Sequence, residues 1–176
     1  MTPIDFDFLR FLVVDDNAHT RSVVRALLQG FGVREIYEAD DGATGLEACI
    51  HFMPDIVLTD WVMPNLDGLE LTRVIRQPGI NADPDVPIIM LSSYGEQARI
   101  DKALDAGVSQ FLTKPISARA LYDAILSAVA DPNAFHRDRE LFRARPARDS
   151  LVIPEQSLPR RSLRPDHRKP TEWLST

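Results

Sequence analysis

Two adjacent carboxylates, Asp15 and Asp16, follow the apolar run Phe11–Val14, and a third, Asp60, follows the apolar run Ile56–Thr59. Acids placed together at the ends of buried strands repel one another unless positive charge sits among them. A small hard cation such as Mg²⁺ suits that place, because it takes oxygen ligands and keeps several of its waters. A carboxylate shielded in this way can accept a phosphoryl group, with its own oxygen as the nucleophile.

The elements that must position these acids are legible in the periodicity. Strand-like runs fall at 11–14, 35–39, 56–59, 88–91 and 110–112, and helix-period segments at 18–29, 43–51, 66–76, 96–106 and 117–129. In the first helical segment Val23, Val24, Leu27 and Leu28 recur at three- and four-residue spacing, and Gly30 and Gly32 follow as stop signals. Five strands alternating with five helices predict right-handed βαβ units and a parallel sheet covered on both faces. Ligands of such a sheet gather beyond the carboxyl ends of the strands, where the strand order reverses. Asp15, Asp16, Asp60, Ser92 and Lys114 all stand just after strands, and five chemically compatible groups in equivalent places argue for one site.

The chain has 176 residues, 44% of them apolar, which is enough for one ordinary domain and a remainder. Its single cysteine, Cys49, forms no disulfide framework and reads as a small buried apolar residue. No apolar stretch is long enough to span a bilayer, and the opening MTPIDFDFLR has no early basic cluster, so membrane insertion and secretion are not expected and a cytoplasmic place is. The net charge of −6 is uneven: residues 1–131 hold 20 acids and 10 bases, and residues 132–176 hold 6 acids and 10 bases. A −10 body with a +4 tail is two objects, divided at 131/132.

VVDDN, VLTDWVMPNLDGLEL, PIIMLSS and FLTKPI, in this order and spacing, resemble the CheY-like receiver domain of bacterial response regulators. The resemblance covers residues 8–130 and implies a flavodoxin-like, doubly wound five-stranded parallel sheet in the order 2-1-3-4-5. It also implies roles. Asp60 would be the phosphoacceptor, charged by a histidine kinase and otherwise doing no enzymatic turnover. Asp16 would be the direct Mg²⁺ ligand, Asp15 its partner through water, and the backbone carbonyl of Val62 a further ligand. Lys114 would contact the acyl phosphate, Ser92 would supply the switching hydroxyl, and Phe111 would be the rotating aromatic. Lys114-Pro115 would be a cis peptide. Three residues depart from the pattern. Phe111 lacks the hydroxyl of the tyrosine in motor-binding members, and Val62 and Tyr94 are apolar where many relatives are polar. Bulk there is expected to hinder a hydrolytic water.

The tail has nine arginines, six prolines and no glycine, and is expected to be largely irregular. It carries no helix-turn-helix signal and no zinc spacing. Charge alone would be served by lysine; the arginine bias points to planar forks that grip phosphate and the guanine edge and stack on bases. Arg143, Arg145, Arg148, Asp149, Arg160, Arg161 and Trp173 concentrate that chemistry, with Asp149 as acceptor for guanine donors. Guanines and phosphates in one compact anion describe cyclic di-GMP. This resembles the CheY-like cyclic di-GMP effectors with arginine-rich tails, often called Cle proteins, which implies docking on the flagellar motor switch and recruitment to the flagellar base. A solvated arm and a nucleic-acid arm remain open, the second disfavoured by the acidic body.

Overall fold

The computed structural model describes residues 5–130. The strands are β1 (Arg10–Val14), β2 (Glu35–Ala39), β3 (Ile56–Asp60), β4 (Ile88–Ser92) and β5 (Gln110–Thr113). The helices are α1 (Ala18–Gly30), α2 (Gly42–Phe52), α3 (Gly68–Ile75), α4 (Gln97–Ala106) and α5 (Ala118–Ala130). All strand pairs are parallel, in the order β2-β1-β3-β4-β5. This is the expected flavodoxin-like, doubly wound sheet with five helices.

The sheet is buried because its central strands carry no outward polar face. Every residue of β3 and β4 is buried. Alternate strand residues feed two cores: Leu12, Val14, Val57, Ile88 and Met90 belong to one, and Phe11, Val13, Ile56, Leu58, Ile89 and Leu91 to the other. Each fully buried Leu, Ile or Val contributes about 1.5–3 kcal/mol relative to exposure, so sliding a strand by one residue would forfeit several such terms at once.

The chain leaves β1 toward β2 on one side and returns through β3 on the other. The strand order therefore reverses between β1 and β3, and the crevice opens there. Asp15 and Asp16 follow β1, and Asp60 ends β3.

Two local features depart from the periodicity. A short 3₁₀ turn, Phe6–Phe8, precedes β1, and Phe6 is buried against Phe31 and Tyr122. The third helix begins at Gly68 rather than Leu66. Asn65 has a left-handed backbone (φ +66°), and Asp67 closes a reciprocal capping box with Glu70. The signal was present as Asp67-x-x-Glu70, but Leu66 and Leu69 extend the apolar stripe past it. Gln77–Pro87 then joins α3 to β4, held by Arg76, whose guanidinium donates to the carbonyls of Gly107 and Pro84.

Candidate functional site

Asp15, Asp16 and Asp60 each offer a carboxylate oxygen, and these oxygens lie within 4.8 Å of one another. Lys114, in the turn after β5, sends its Nζ between two of them: it lies 2.8 Å from Asp15 Oδ2 and 2.8 Å from Asp60 Oδ1. Four residues from three strand ends thus meet at the mouth of the crevice. Lys114-Pro115 is cis, as expected.

The two adjacent acids differ sharply in surroundings. Asp15 is fully buried and held throughout: its N–H donates to Ala39 O, its Oδ1 accepts from Asn17 N at 2.8 Å, and its backbone carbonyl accepts from Arg21 Nη1 at 2.6 Å. Asp16, by contrast, is exposed. One acid is built into the wall and the other faces the opening. Asn17 completes the turn by capping α1, its side-chain oxygen accepting from the N–H groups of His19 and Thr20.

Asp60 is 8% exposed and is set by the backbone of α3. Gly68 N donates to Trp61 O at 2.9 Å, Thr59 Oγ1 donates to Asp60 O at 3.0 Å, and Thr72 Oγ1 donates to Gly68 O at 2.7 Å. A Cβ on Gly68 would stand 2.0 Å from Asp60 O, so only glycine lets the helix approach this closely. Sequence reasoning did not single out Thr59, Gly68, Thr72 or Arg21. The one available signal, the Asp67-Gly68 pair, reads as a turn before it reads as a support.

Burial pushes the Asp60 carboxyl upward. The Lys114 hydrogen bond and charge oppose that, the Asp15 charge adds to it, and the pKa ends above the ordinary carboxylate value. Burial works against the Lys114 ammonium too, but its bonds to Asp15 and Asp60 outweigh that and lift its pKa above the ordinary lysine value. The two partners register their contact differently for a physical reason. Lys114 serves two carboxylates, whereas Asp60 has one cation set against burial and a like charge.

Ser92 ends β4, is buried, and its Oγ accepts from Tyr94 N at 3.1 Å. Phe111, in β5, is half-buried and meets Trp61 edge-on at 6.3 Å. Trp61 is itself buried. The Arg99 guanidinium lies 5.4 Å from the Trp61 ring centre and 4.6 Å from that of Tyr94, joining α4 to both loops. The side chain of Val62 is exposed beside Asp60, as is Tyr94 beside Ser92. The structure therefore brings Asp15, Asp16, Asp60 and Lys114 together, with Ser92, Phe111 and Val62 on the loops and strands around them. Arg143, Arg145, Arg148, Asp149, Arg160, Arg161 and Trp173 lie outside the described residues.

The donor set is all oxygen, clustered, anionic and partly open through Asp16, which fits a hard divalent cation. No helix among the described residues is long and apolar enough to cross a membrane.

Comparison with known proteins agrees with this geometry. Residues 11–126 match the family described as response regulator receiver domain. The chemotaxis protein CheY of Bacillus subtilis is 34% identical over 116 residues, which span 66% of this chain and 93% of the relative. The chemotaxis protein CheY-3 of Vibrio cholerae is 33% identical over 120 residues, 66% of this chain and 88% of the relative. Among solved structures, the receiver domain of a sensor histidine kinase from Pseudomonas aeruginosa, with a magnesium ion coordinated in its active site cleft, superposes with a TM-score of 0.60 at 29% identity, covering 69% of this chain and 95% of that one. Vibrio cholerae CheY4 superposes with a TM-score of 0.61 at 25% identity, covering 67% of this chain and 96% of that one. On the family match over residues 11–126, the chain belongs to the CheY-like response regulator receiver domain family.

Proposed function

We propose that Asp60 is the phosphoacceptor of an aspartyl-phosphate switch. The observation that carries this reading is the convergence of Asp15, Asp16 and Lys114 on Asp60, one acid exposed and one cation already in contact. Asp16 and Asp60 would hold Mg²⁺ directly with the Val62 carbonyl, and Asp15 through water. When bound, the ion supplies positive charge for the incoming phosphoryl oxygens. From a phosphohistidine donor on a histidine kinase, an Asp60 oxygen forms the new P–O bond as the P–N bond breaks, and the leaving imidazole nitrogen takes up a proton. Lys114 balances charge on the other side. Ser92, whose hydroxyl now accepts from Tyr94 N, can turn to a phosphate oxygen and draw the β4–α4 loop with it, with Phe111 moving in concert.

Acetyl phosphate with Mg²⁺ tests the chemistry. The full chain is expected to gain the mass of one phosphoryl group, with none gained by Asp60→Asn. Phosphorylation persisting in that variant would move the acceptor elsewhere. The bulk of Val62, just after Asp60 in the chain, and of Tyr94, just after Ser92, supports slow hydrolysis of the product. Val62→Asn together with Tyr94→Asn is expected to shorten the phosphorylated lifetime several-fold, and an unchanged lifetime would dismiss the steric account.

A second reading concerns residues 132–176 and is carried by their arginine bias in sequence. Arg143, Arg145, Arg148, Asp149, Arg160, Arg161 and Trp173 would bind cyclic di-GMP, and binding would promote docking of the receiver, residues 1–131, on the flagellar motor switch. The chemotaxis names of the relatives favour that partner. Calorimetry on the full chain is expected to show binding that Arg148→Ala weakens strongly. Absence of heat at tens of micromolar ligand would leave the phosphorylation switch alone.

A further inference from the structure

Arg21 lies one turn into α1, its N–H bonded to Asn17 O, and its side chain turns back toward the site. Nη1 donates to Asp15 O at 2.6 Å, and Nε donates to Glu38 Oε2 at 3.2 Å. The side chain is only 17% exposed. Glu38, on β2, is fixed from its other side by Arg25. A guanidinium on α1 thus pins the last carbonyl before Asp16 to a carboxylate on the neighbouring strand.

That carbonyl belongs to the Asp15–Asp16 peptide, so whatever fixes its direction also fixes the direction in which Asp16 departs. Asp15 has independent restraints in Ala39 O, which takes its N–H, and in Lys114, which binds its Oδ2; the bond from Asn17 N to its Oδ1 instead spans Asp16 and depends on how that residue departs. Asp16 is exposed, and the backbone behind it decides where its carboxylate can reach.

We propose that Arg21 is a positioning residue: by clamping the Asp15 carbonyl against Glu38, it aims Asp16 at the cation. The inference rests on the reading of Asp16 as a metal ligand. It differs in sign from the bland alternative, in which Arg21 is only a nearby positive charge. A bare charge repels a divalent cation, so removing it would tighten binding. Removing a clamp loosens binding, and loss of such outer supports typically weakens metal affinity by about 10–100-fold.

The experiment is a Mg²⁺ titration of the full chain followed through its backbone amide resonances, in wild type, Arg21→Ala and Arg21→Lys. Arg21→Ala is expected to weaken Mg²⁺ about tenfold, at the low end of that range. Arg21→Lys, which keeps the charge but cannot bridge both oxygens with a planar fork, is expected to weaken it several-fold. Tighter or unchanged binding in Arg21→Ala, or wild-type binding in Arg21→Lys, overturns the proposal. A second measurement needs no metal. Hydrogen exchange at the Asn17 amide, which is bonded to Asp15 Oδ1, is expected to quicken in Arg21→Lys while amides of β4 keep their protection. Unchanged exchange at Asn17 also overturns the clamp. Should the wild type show no Mg²⁺-dependent shifts at all, the metal reading of Asp16 fails, and the exchange result alone decides whether the clamp exists.

Discussion

Asp60 has been placed where its charge is costly. Burial raises its pKa, Lys114 offsets part of that, and Asp15 adds to it. An acid raised in the folded state contributes stability fully present below its unfolded pKa and lost as pH rises through the folded value. At neutral pH without divalent cations, Asp60→Asn is therefore expected to melt above the wild type in a chelated buffer, and the gain is expected to shrink as pH falls through the carboxylate range. A lower melting point at pH 7 would mean that the Lys114 contact outweighs burial and repulsion together. Cys49 follows the same sign in another window. Burial pushes its thiol up to about 12 from an ordinary value of 9.0, with Arg76 pulling slightly the other way. Its contribution is intact below pH 9.0 and is lost as pH rises toward about 12. Urea unfolding at successive alkaline pH values is expected to show falling stability, with a shallower fall in Cys49→Ala. The native thiol is expected to resist a disulfide reagent at pH 8 and to react once urea unfolds the chain.

At the scale of elements, the acceptor strand and α3 are locked by backbone proximity. Gly68 is tight against the Asp60 carbonyl, and its own carbonyl holds the Thr72 hydroxyl. Gly68→Ala would force a methyl to 2.0 Å from a backbone oxygen, and relief requires α3 or the end of β3 to move. The expected cost is about 1–3 kcal/mol of overpacking, read as a lower urea midpoint with unchanged slope, together with shifted amide resonances around Asp60. A neutral substitution would mean that the helix is free to slide. This explains what could and could not be read from the chain. The central strands were legible because burial on both faces makes them runs of aliphatic residues, as in Ile88–Leu91. The acids and Lys114 were legible because a parallel sheet sends all its strand ends to one edge, where the crevice opens. Gly68, Thr72 and Arg21 were not, because their roles depend on which backbone carbonyl lies beside each, and residue type alone does not tell that. An arginine on a helix looks like a solvated charge until its partner carbonyl is known. The start of α3 differs from the periodicity because the apolar stripe runs back through Leu66, ahead of Asp67, the capping residue that starts the helix.

For the whole molecule, charge divides between the acidic residues 1–131 and the arginine-rich residues beyond them. The relatives are 88% and 93% covered by a match that takes up 66% of this chain, so a body of receiver length suffices in them for an independent fold. A chain ending at Asp131 is accordingly expected to unfold cooperatively, with a midpoint within a few degrees of the full chain in circular dichroism. A large drop would show that the receiver draws stability from residues 132–176. The same pair of proteins separates the ligand classes proposed for those residues. A long nucleic acid contacted through many arginines releases one condensed counterion for nearly each phosphate met, so its affinity falls steeply with salt. A cyclic dinucleotide has two phosphates, and most of its contact would come from guanine edges and faces, which salt screens little. Titrating the full chain at two ionic strengths is therefore expected to show shallow dependence for cyclic di-GMP and none of that binding in the chain ending at Asp131. A steep slope, or equal binding by single-stranded DNA, would shift the assignment to a polyanion. Retention of cyclic di-GMP by the shortened chain would place the ligand on the receiver, where the acid cluster of Asp15, Asp16 and Asp60 argues against it.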